Sequence, residues 1–450
     1  MNNNLTTTNK NAKLALNKSK SLLNITNSLL ASRPSKELIE SFENFGISIS
    51  FENSSWVNCI AISPDGKYIV SGDGEVDDVY EDDETGGSIK LWDICSGKEL
   101  QTFVGHSWGV IFVAITPDGK YIVSGSPDST IRLWELNSGK ELRIFEGSYS
   151  WGVNSVAVSP DGQFIIGGRE DRTIKLWEIS SGKELRTFEG HKHAVKSIAI
   201  TQDGKYIVSG DGGYLTVGTI KLWEITSGKE LHSFEGHNNG INTVAVSPDG
   251  KYIVSGCGST IKQWEISNGK EFQTFKGHSV SVNSLAITSD GKYLVSGSHD
   301  DTIKLWEISS GKEMLTFEKN GNVNSVAITP DGKYIVSGGN AIKLWEINSG
   351  KLLCSYVAYE DEEWLSWTPD GYYNCSDGAY QYFSFVDDSK EMPESVPKEH
   401  PVYKAKKKEI LLGDYIGGTN PYVKNPPPQT DIGEYDAITQ LDIDDDEIPF

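Results

Sequence analysis

Short runs of alternating apolar and polar residues recur through most of this chain, and they come in groups of four. In one group, Val153, Val156 and Val158 precede an Asp161-Gly162 turn, and a second apolar run follows at once. Asp-Gly joins antiparallel strands tightly because both residues tolerate positive φ. A third run carries a tryptophan, and a Ser-Gly-Lys turn leads to a fourth. The pattern predicts four short antiparallel strands in each repeat.

The third run is the most regular part of the repeat. It reads Ser-Ile-Lys-Leu-Trp-Asp at residues 88–93, and close variants of it return six times. The tryptophans lie 42, 43, 46, 41, 42 and 39 residues apart, at Trp92, Trp134, Trp177, Trp223, Trp264, Trp306 and Trp345. A period of roughly 40 to 45 residues is that of one four-stranded propeller blade. The sequence therefore predicts an all-β propeller.

These repeats resemble the WD-repeat family of β-propellers over residues 46–386. Glu replaces the terminal Asp of the family's motif in six of seven copies. The family's Gly-His before the first strand is present at His106, His191, His237 and His278, but it is missing before blades 1, 3 and 7. The departures are small beside seven copies of a long motif at a fixed period.

The resemblance also implies roles for the polar residues of the repeat. In the family, a His, a Ser, an Asp and the Trp form a buried hydrogen-bond network. Two such sets occur here: His106, Ser124, Asp128 and Trp134, and His278, Ser296, Asp300 and Trp306. Buried polar groups need partners, so these sets are expected to be structural rather than catalytic or metal-binding.

The number of blades is a separate question. Residues 364–371 read as a first strand and its turn, residues 372–376 as a second strand and residues 381–386 as a third, while Ile47, Ile49 and Phe51 alternate as a fourth strand would. An N-terminal strand that completes a C-terminal blade would leave no free sheet edge. The expected architecture is thus an eight-bladed ring, and seven blades with a C-terminal appendage is the alternative.

The segments that flank the propeller have a different composition. Residues 1–45 form a leader with two candidate helices, the second capped by Ser35 and carrying Leu38, Ile39 and Phe42. The helices would either pack on the propeller or serve as a docking or oligomerisation handle. Residues 387–430 read as a tether with Pro426, Pro427 and Pro428 near its end, and residues 431–450 as an acidic disordered tail.

Composition favours a soluble cytoplasmic protein. There is no apolar run of the roughly 20 residues that a membrane span needs, and the N-terminus lacks a signal-peptide core. The five cysteines are scattered without Cys-x-x-Cys spacing, which is typical of reduced core residues. No cofactor is expected.

Most of the net charge of −22 comes from two places. Residues 73–84 carry eight acids and no base, and so do residues 431–450. Direct binding of nucleic acid is therefore disfavoured, since phosphate contacts require clustered Lys and Arg. The spacing of acids in residues 73–84 also lacks the register of a dedicated calcium loop.

The first acidic segment replaces the turn between strands two and three of blade 1, which places it on the rim with the connections between blades. That rim also carries aromatic residues, which are common interface anchors. A protein-docking surface is expected there, although the tryptophans could instead fold over the blade edges. Its candidate residues are Trp56, Trp108, Trp151, His193, Asp77, Asp78, Asp82 and Asp83.

The C-terminus ends in acids followed by Ile-Pro-Phe. This closely resembles the acidic tip of bacterial single-stranded-DNA-binding proteins, which binds genome-maintenance enzymes rather than DNA. Ile448 and Phe450 could enter an apolar pocket while the acids meet a basic rim. The residues concerned are Asp444, Asp445, Asp446, Glu447, Ile448, Pro449 and Phe450. The plainer interpretation is a solvating tail.

No nucleophile motif, metal-ligand spacing or phosphate loop stands out in the sequence. The expected function is therefore a noncatalytic scaffold, with one protein partner at the propeller rim and DNA-repair or replication enzymes at the C-terminal tip. Residues 364–385 resemble the ending of bacterial propellers joined to caspase-like peptidases. The alternatives are thus a regulatory subunit of a separate enzyme of that kind, or a propeller enzyme with a site assembled from loops.

Overall fold

A computed structural model describes residues 45–51, 54–74, 86–146, 152–213, 216–317, 321–359, 361–369 and 371–387. The predicted N-terminal helices, the tether and the acidic tail lie outside these ranges. So do Trp151 and the acids from Glu75 to Glu84.

Seven four-stranded antiparallel units are formed by the described residues, each with strands in the chain order a, b, c, d. Blades 1 and 2 consist of β2 (Cys59–Ile62), β3 (Tyr68–Gly72), β4 (Ser88–Asp93), β5 (Glu99–Val104), β6 (Phe112–Ile115), β7 (Tyr121–Gly125), β8 (Thr130–Glu135) and β9 (Glu141–Glu146). Blades 3 and 4 consist of β10 (Val153–Val158), β11 (Phe164–Arg169), β12 (Ile174–Glu178), β13 (Glu184–Phe188), β14 (Val195–Ile200), β15 (Tyr206–Asp211), β16 (Ile220–Glu224) and β17 (Glu230–Phe234). Blades 5 and 6 consist of β18 (Thr243–Val246), β19 (Tyr252–Cys257), β20 (Thr260–Glu265), β21 (Glu271–Lys276), β22 (Val282–Ile287), β23 (Tyr293–Ser298), β24 (Ile303–Glu307) and β25 (Lys312–Phe317). Blade 7 consists of β26 (Ser325–Ile328), β27 (Tyr334–Gly338), β28 (Ile342–Glu346) and β29 (Leu352–Ala358).

The hydrophobic core lies between blades. Strand c buries its Ile and Trp, and in six blades a Leu as well. A β-bulge beside the Trp shifts the register with strand d in each of the seven c–d pairs. The Phe of strand d then meets the Trp of the next blade, as Phe103 meets Trp134 with ring centroids 6.0 Å apart. Such edge-to-face contacts are repeated around the ring, and each blade is therefore stabilised by its neighbour.

Blade 7 closes the ring directly on blade 1, so the expectation of eight blades is wrong and the alternative of seven is confirmed. Asn324 Nδ2 donates to Val57 O at 3.1 Å, just as Asn283 Nδ2 donates to Val323 O one interface earlier. The amide of Ile60 donates to Ser325 Oγ at 3.1 Å. Because blades 7 and 1 share the bonds that join other neighbours, they leave no space for another blade between them.

The strands assigned to an eighth blade exist, but they lie at the perimeter. β30 (Trp364–Trp367) pairs with β29, the outer strand of blade 7, and β31 (Tyr373–Cys375) pairs with β30. After a short 3-10 helix (Ala379–Gln381), β32 (Phe383–Asp387) pairs with the N-terminal β1 (Phe45–Ile49) in a separate two-stranded sheet. Pairing between the two ends of the propeller region is thus confirmed. We call β1 and residues 361–387 the clasp.

The clasp has its own core and touches both blades of the closure. Tyr373, Phe383 and Phe385 are buried together, with Ile47 and Ile49 of β1 packed against them. Asn374 Nδ2 donates to Ser96 O in blade 1 at 3.2 Å. The clasp therefore covers the outer edge of blade 7 and also holds the adjoining turn of blade 1.

Candidate functional site

The connections between blades and the b–c turns lie on one face of the ring, which we call the upper face; the a–b and c–d turns lie on the lower face. In blade 1 the b–c connection is the acidic loop, and its two ends are described. Asn58 Nδ2 donates to Gly74 O at 2.8 Å, and the amide of Gly87 donates to Trp108 O at 3.0 Å. The loop therefore leaves the ring between the connection that holds Trp56 and the one that holds Trp108.

Glycines let these segments approach closely. Gly74 has φ 100°, and a Cβ on it would lie 2.6 Å from Gly87 Cα. A Cβ on Gly87 would in turn lie 2.5 Å from Val110 N. Neither position accepts a larger residue without moving backbone, so the roots of the loop are fixed even though the loop itself is long.

Trp56 and Trp108 are exposed beside these roots. Their side chains are 50% and 44% exposed, whereas Trp92, on strand c of the same blade, is 1% exposed. A tryptophan left half in water on a rigid backbone can bury much of its area against a partner at small entropic cost. The structure thus brings together two of the predicted aromatic anchors, on adjacent connections.

Asp73 does not belong to the solvated acidic segment in which the sequence placed it. It is 6% exposed, accepts hydrogen bonds from the Ser88 amide and hydroxyl, and lies 3.3 Å from Lys90 Nζ. Blade 1 lacks the Gly-His of the repeat, and Asp73 with Lys90 forms a polar network in its place. Asp73 is therefore part of the polar network of blade 1 and is not available to a partner.

Of the remaining predicted rim residues, the structure describes only His193. His193 is half-buried on the connection into blade 4, where its amide donates to Asp211 Oδ2 at 3.3 Å. It is on the upper face but on a connection two further along than that of Trp108. Trp151, Asp77, Asp78, Asp82 and Asp83 lie outside the described residues, as does the tip from Asp444 to Phe450.

Two exposed apolar residues of the upper face were not predicted. Val217, in the b–c turn of blade 4, is 59% exposed, and Val280, on the connection into blade 6, is 48% exposed. Val280 stands at the position that Trp108 holds in blade 2 and His193 holds in blade 4, so the repeat itself was the available signal for it.

Beneath the upper face, the two predicted networks have the expected geometry. His106 Nε2 lies 2.7 Å from Ser124 Oγ, which also accepts from Trp134 Nε1 at 2.8 Å, and His106 Nδ1 lies 2.7 Å from Asp128 Oδ2. The set at His278 matches it bond for bond. Although burial opposes ionisation, the hydrogen bonds from His106 and Thr130 hold the pKa of Asp128 below its usual range. These groups are bonded to each other, and the His and Asp side chains are at most 7% exposed.

Blades 4 and 5 vary this network in opposite ways. In blade 4, Asp211 at the end of strand b takes the place of the turn Asp, with its Oδ2 3.0 Å from His191 Nδ1. Burial opposes its ionisation, but bonds from His191 and Thr219 lower the pKa of Asp211 to about 2. In blade 5 a two-residue turn carries no Asp, and His237 Nδ1 has no hydrogen-bond partner among the described residues. Burial and then Lys262 lower the pKa of His237 to about 4.

The cysteines and acids do not assemble a metal site in the described part of the chain, where no group of three or more candidate ligands occurs. All five cysteines carry free thiols, and four are buried. Burial raises the pKa of the Cys354 thiol to about 12. No helix among the described residues is long and apolar enough to span a bilayer.

The fold is a seven-bladed β-propeller with edge-to-face Phe–Trp contacts at six blade interfaces and a Tyr–Trp contact at the seventh. The family model for the WD domain, G-beta repeat, matches residues 47–93, 97–135, 139–178, 182–224, 228–265, 269–307 and 311–346. These matches cover more than half of the chain, which therefore belongs to the WD-repeat family.

Similar curated proteins match over short stretches. Transcription initiation factor TFIID subunit 5 of Caenorhabditis elegans is 38% identical over 68 residues, which is 15% of this chain and 9% of that protein. Human serine-threonine kinase receptor-associated protein is 32% identical over 81 residues, 18% of this chain and 20% of that protein. An uncharacterized WD repeat-containing protein of Schizosaccharomyces pombe is 46% identical over 41 residues, 9% of this chain and 10% of that protein. The chain thus matches a fifth or less of the length of these relatives.

Proposed function

We propose that the protein is a noncatalytic cytoplasmic scaffold whose upper face binds a protein partner at Trp56 and Trp108. The observation that carries this proposal is the placement of two half-exposed tryptophans on either side of the anchored roots of the acidic loop. WD-repeat proteins serve generally as protein-interaction scaffolds, and two relatives are named as a subunit and a receptor-associated protein.

The expected partner segment is basic and carries an apolar anchor. The loop contributes Asp77, Asp78, Asp82 and Asp83 among its acids and no base. Exposed acids attract a basic segment over a distance of about 10 Å at moderate salt and speed its encounter. The tryptophans then supply the apolar contact area that slows dissociation.

A pulldown from native-host extract at low and high salt would test this surface. The baits are the full chain, Trp56→Ala/Trp108→Ala, a variant with Asn at residues 77, 78, 82 and 83, and Leu142→Ala as a matched control. Leu142 is 42% exposed on the outer strand of blade 2, away from the upper face. The tryptophan variant should lose a partner that the control retains, and the Asn variant should bind it with less salt dependence. A partner set shared by all four baits would refute the surface.

We further propose that the C-terminal tip docks on genome-maintenance enzymes. Ile448 and Phe450 would occupy an apolar pocket, and Asp444, Asp445, Asp446 and Glu447 would engage the surrounding basic rim. Rim and tip together would allow one chain to hold two partners. Residues 387–430 would act as a tether that sets the effective concentration of one bound partner near the other.

Isothermal titration would test the tip with a peptide of residues 441–450. It should bind a client enzyme of a bacterial single-stranded-DNA-binding protein and compete with that protein's own tip. Removal of Phe450 should abolish binding because the anchoring ring is lost, while Asn at residues 444–446 should only weaken it. Binding that is unchanged without Phe450, or absent for the intact peptide, would reduce the tail to a solvating extension.

A further inference from the structure

A cleft of about 730 Å³ opens on the lower face between blades 5 and 6. Its walls include Asp249 in the a–b turn of blade 5, Asp290 in the a–b turn of blade 6 and Glu307 at the end of strand c of blade 6. Gln263 and the exposed Phe272 of blade 5 also line it. The cleft therefore faces away from the rim with Trp56 and Trp108.

Two facing glutamines, Gln263 and Gln273, distinguish this interface; blade 1 also has a Gln at the second position, Gln101, but it faces Leu91. In blades 2 and 3, the outer strand carries Arg143 and Arg186, which donate to turn carbonyls of the next blade at 2.5 to 3.1 Å. Blade 5 has Gln273 at this position, and its Nε2 donates to Gln263 Oε1 at 2.7 Å and to Ile308 O. Gln263 is 1% exposed and stands where the other blades carry a strand c Leu. The bond between the two glutamines holds the Gln273 side chain inward, so the space between blades 5 and 6 that an arginine would span stays open.

A third substitution lines the cleft with an aromatic face. The residue after the first Glu of strand d is Leu in blades 1 to 4, whereas in blade 5 it is Phe272, which is 55% exposed. Its ring centroid lies 5.3 Å from that of Tyr252 at an interplanar angle of 51°. The cleft thus offers two adjoining rings, whereas blades 1 to 4 carry one aromatic residue and a leucine at these positions.

The charges around these rings favour a cation. Three carboxylates line the cleft (Asp249, Asp290 and Glu307) together with a single ammonium, that of Lys292. Lys292 pairs with Asp290 at 3.2 Å, and Lys251 pairs with Asp249 at 3.2 Å, but both lysines are about 70% exposed. Such solvent-exposed pairs contribute little, so their carboxylates can exchange partners readily.

We propose that this cleft binds an arginine side chain of a protein partner. The planar guanidinium would stack on Phe272 and Tyr252 and donate to the carboxylate of Glu307, with Asp249 and Asp290 adding negative potential. Arginine suits this combination better than lysine because its guanidinium is weakly hydrated, stacks on rings and bonds carboxylates in pairs. The site lies on a different face from Trp56 and Trp108, so this proposal does not depend on the proposed rim surface and is tested separately.

Ligand-detected saturation-transfer NMR on the full chain would test this proposal with N-acetyl-arginine amide. N-acetyl-citrulline amide, a neutral near-isostere, is the matched ligand. Arginine should bind in a saturable manner and citrulline at least about tenfold more weakly. Equal binding of the two ligands, or no saturable binding of arginine, would overturn the proposal.

Variants that introduce residues of the other blades assign the binding to the cleft while preserving the fold. Phe272→Leu should weaken arginine binding at least several-fold. Gln263→Leu/Gln273→Arg, which introduces the pair of blades 2 and 3, should abolish it by filling the gap. Met314→Leu, at the position of Phe272 in blade 6, should leave binding unchanged, and thermal midpoints verify folding. Binding that all variants retain would come from acids elsewhere on the chain and would exclude this cleft.

Discussion

The ring of Tyr356 lies 6.0 Å from the ring of Trp92, at the interface where the last blade meets the first. Elsewhere a strand d Phe makes this contact with the Trp of the next blade. Tyr356 is 0% exposed, and its hydroxyl donates to Ile94 O in blade 1 at 3.2 Å. The substitution of Tyr for Phe thus adds a hydrogen bond across the closure. This bond matters because blades 1 and 7 are each built from contiguous residues, so neither blade is completed by a strand from the other end of the chain.

Removal of the Tyr356 ring should therefore open the closure. Tyr356→Ala is expected to lower the free energy of unfolding by about 3 to 5 kcal/mol, as for other buried aromatic deletions. Tyr356→Phe should cost only about 1 kcal/mol, because it loses one hydrogen bond and keeps the ring contact. Chemical denaturation measures both, with Phe188→Ala between blades 3 and 4 as the comparison. A loss for Tyr356→Ala well below that for Phe188→Ala would mean that the closure is not held by this contact.

Deletion of residues 1–51 tests the seven-bladed ring. The deletion removes β1, which pairs with β32 in the clasp, but it leaves the four strands of every blade in place. Amide hydrogen exchange should therefore accelerate at Phe383–Asp387 while strands a to c of the blades keep their protection. The main unfolding transition should lose about 1 kcal/mol or less, a shift of about 1 to 2 °C for a ring of this size. Loss of protection throughout blades 1 and 7 would show that the N-terminal strand is needed for closure.

The sequence predicted the strands well because each is specified locally. Alternating apolar residues, Asp-Gly turns and the buried Trp of strand c recur within every repeat, and the structure confirms them. The blade number was wrong because it depends on which sheet edge β30 joins. A signal for that edge was present: strand d reads Glu-Leu-Arg-Thr-Phe in blade 3 but Leu-Leu-Cys-Ser-Tyr-Val-Ala in blade 7. An outer strand without alternation is buried on both sides, and here Val357 packs into the core of the clasp and is 2% exposed.

The candidate site was predictable only in part. The exposure of Trp56 and Trp108 follows from their positions on connections, where no neighbouring blade covers them. The buried pair of Asp73 and Lys90 depends on strands b and c being adjacent in blade 1, and Asp73 is separated from Lys90 by the whole acidic loop. The cleft at Phe272 depends on how Gln273 orients, which local sequence does not specify.

Replacement of tryptophans on the rim and in the core should have separable effects on stability. Trp108→Ala removes a side chain that is already 44% exposed, and it should change the free energy of unfolding by no more than about 0.5 kcal/mol. Trp177 is 2% exposed against Phe145 of blade 2, with ring centroids 6.2 Å apart, so Trp177→Ala should cost about 3 to 5 kcal/mol. Urea denaturation followed by far-ultraviolet circular dichroism measures both. Comparable losses would assign Trp108 to the core and remove it from the partner surface.

His237 should make stability depend on pH in the mildly acidic range. In the folded chain, burial and then Lys262 lower its pKa from 6.5 to about 4, so the folded state stays neutral where the unfolded state takes up a proton. The contribution of neutral, buried His237 to the free energy of unfolding is therefore complete above about pH 6.5, and it is lost as the pH falls towards 4. Between pH 7.5 and 5 the loss should be on the order of 2 kcal/mol.

The matched variant is His237→Gln, which removes the titrating group and keeps a polar side chain near Ser255 Oγ, 2.7 Å from His237 Nε2. The free energy of unfolding should be measured by urea denaturation at both pH values. Other titrating groups, including His278, whose pKa burial also lowers, remain in both proteins and cancel in the comparison. The wild type should lose on the order of 2 kcal/mol more than the variant on acidification. Equal losses would mean that His237 titrates alike in the folded and unfolded chains, and that blade 5 satisfies its Nδ1 without the missing Asp.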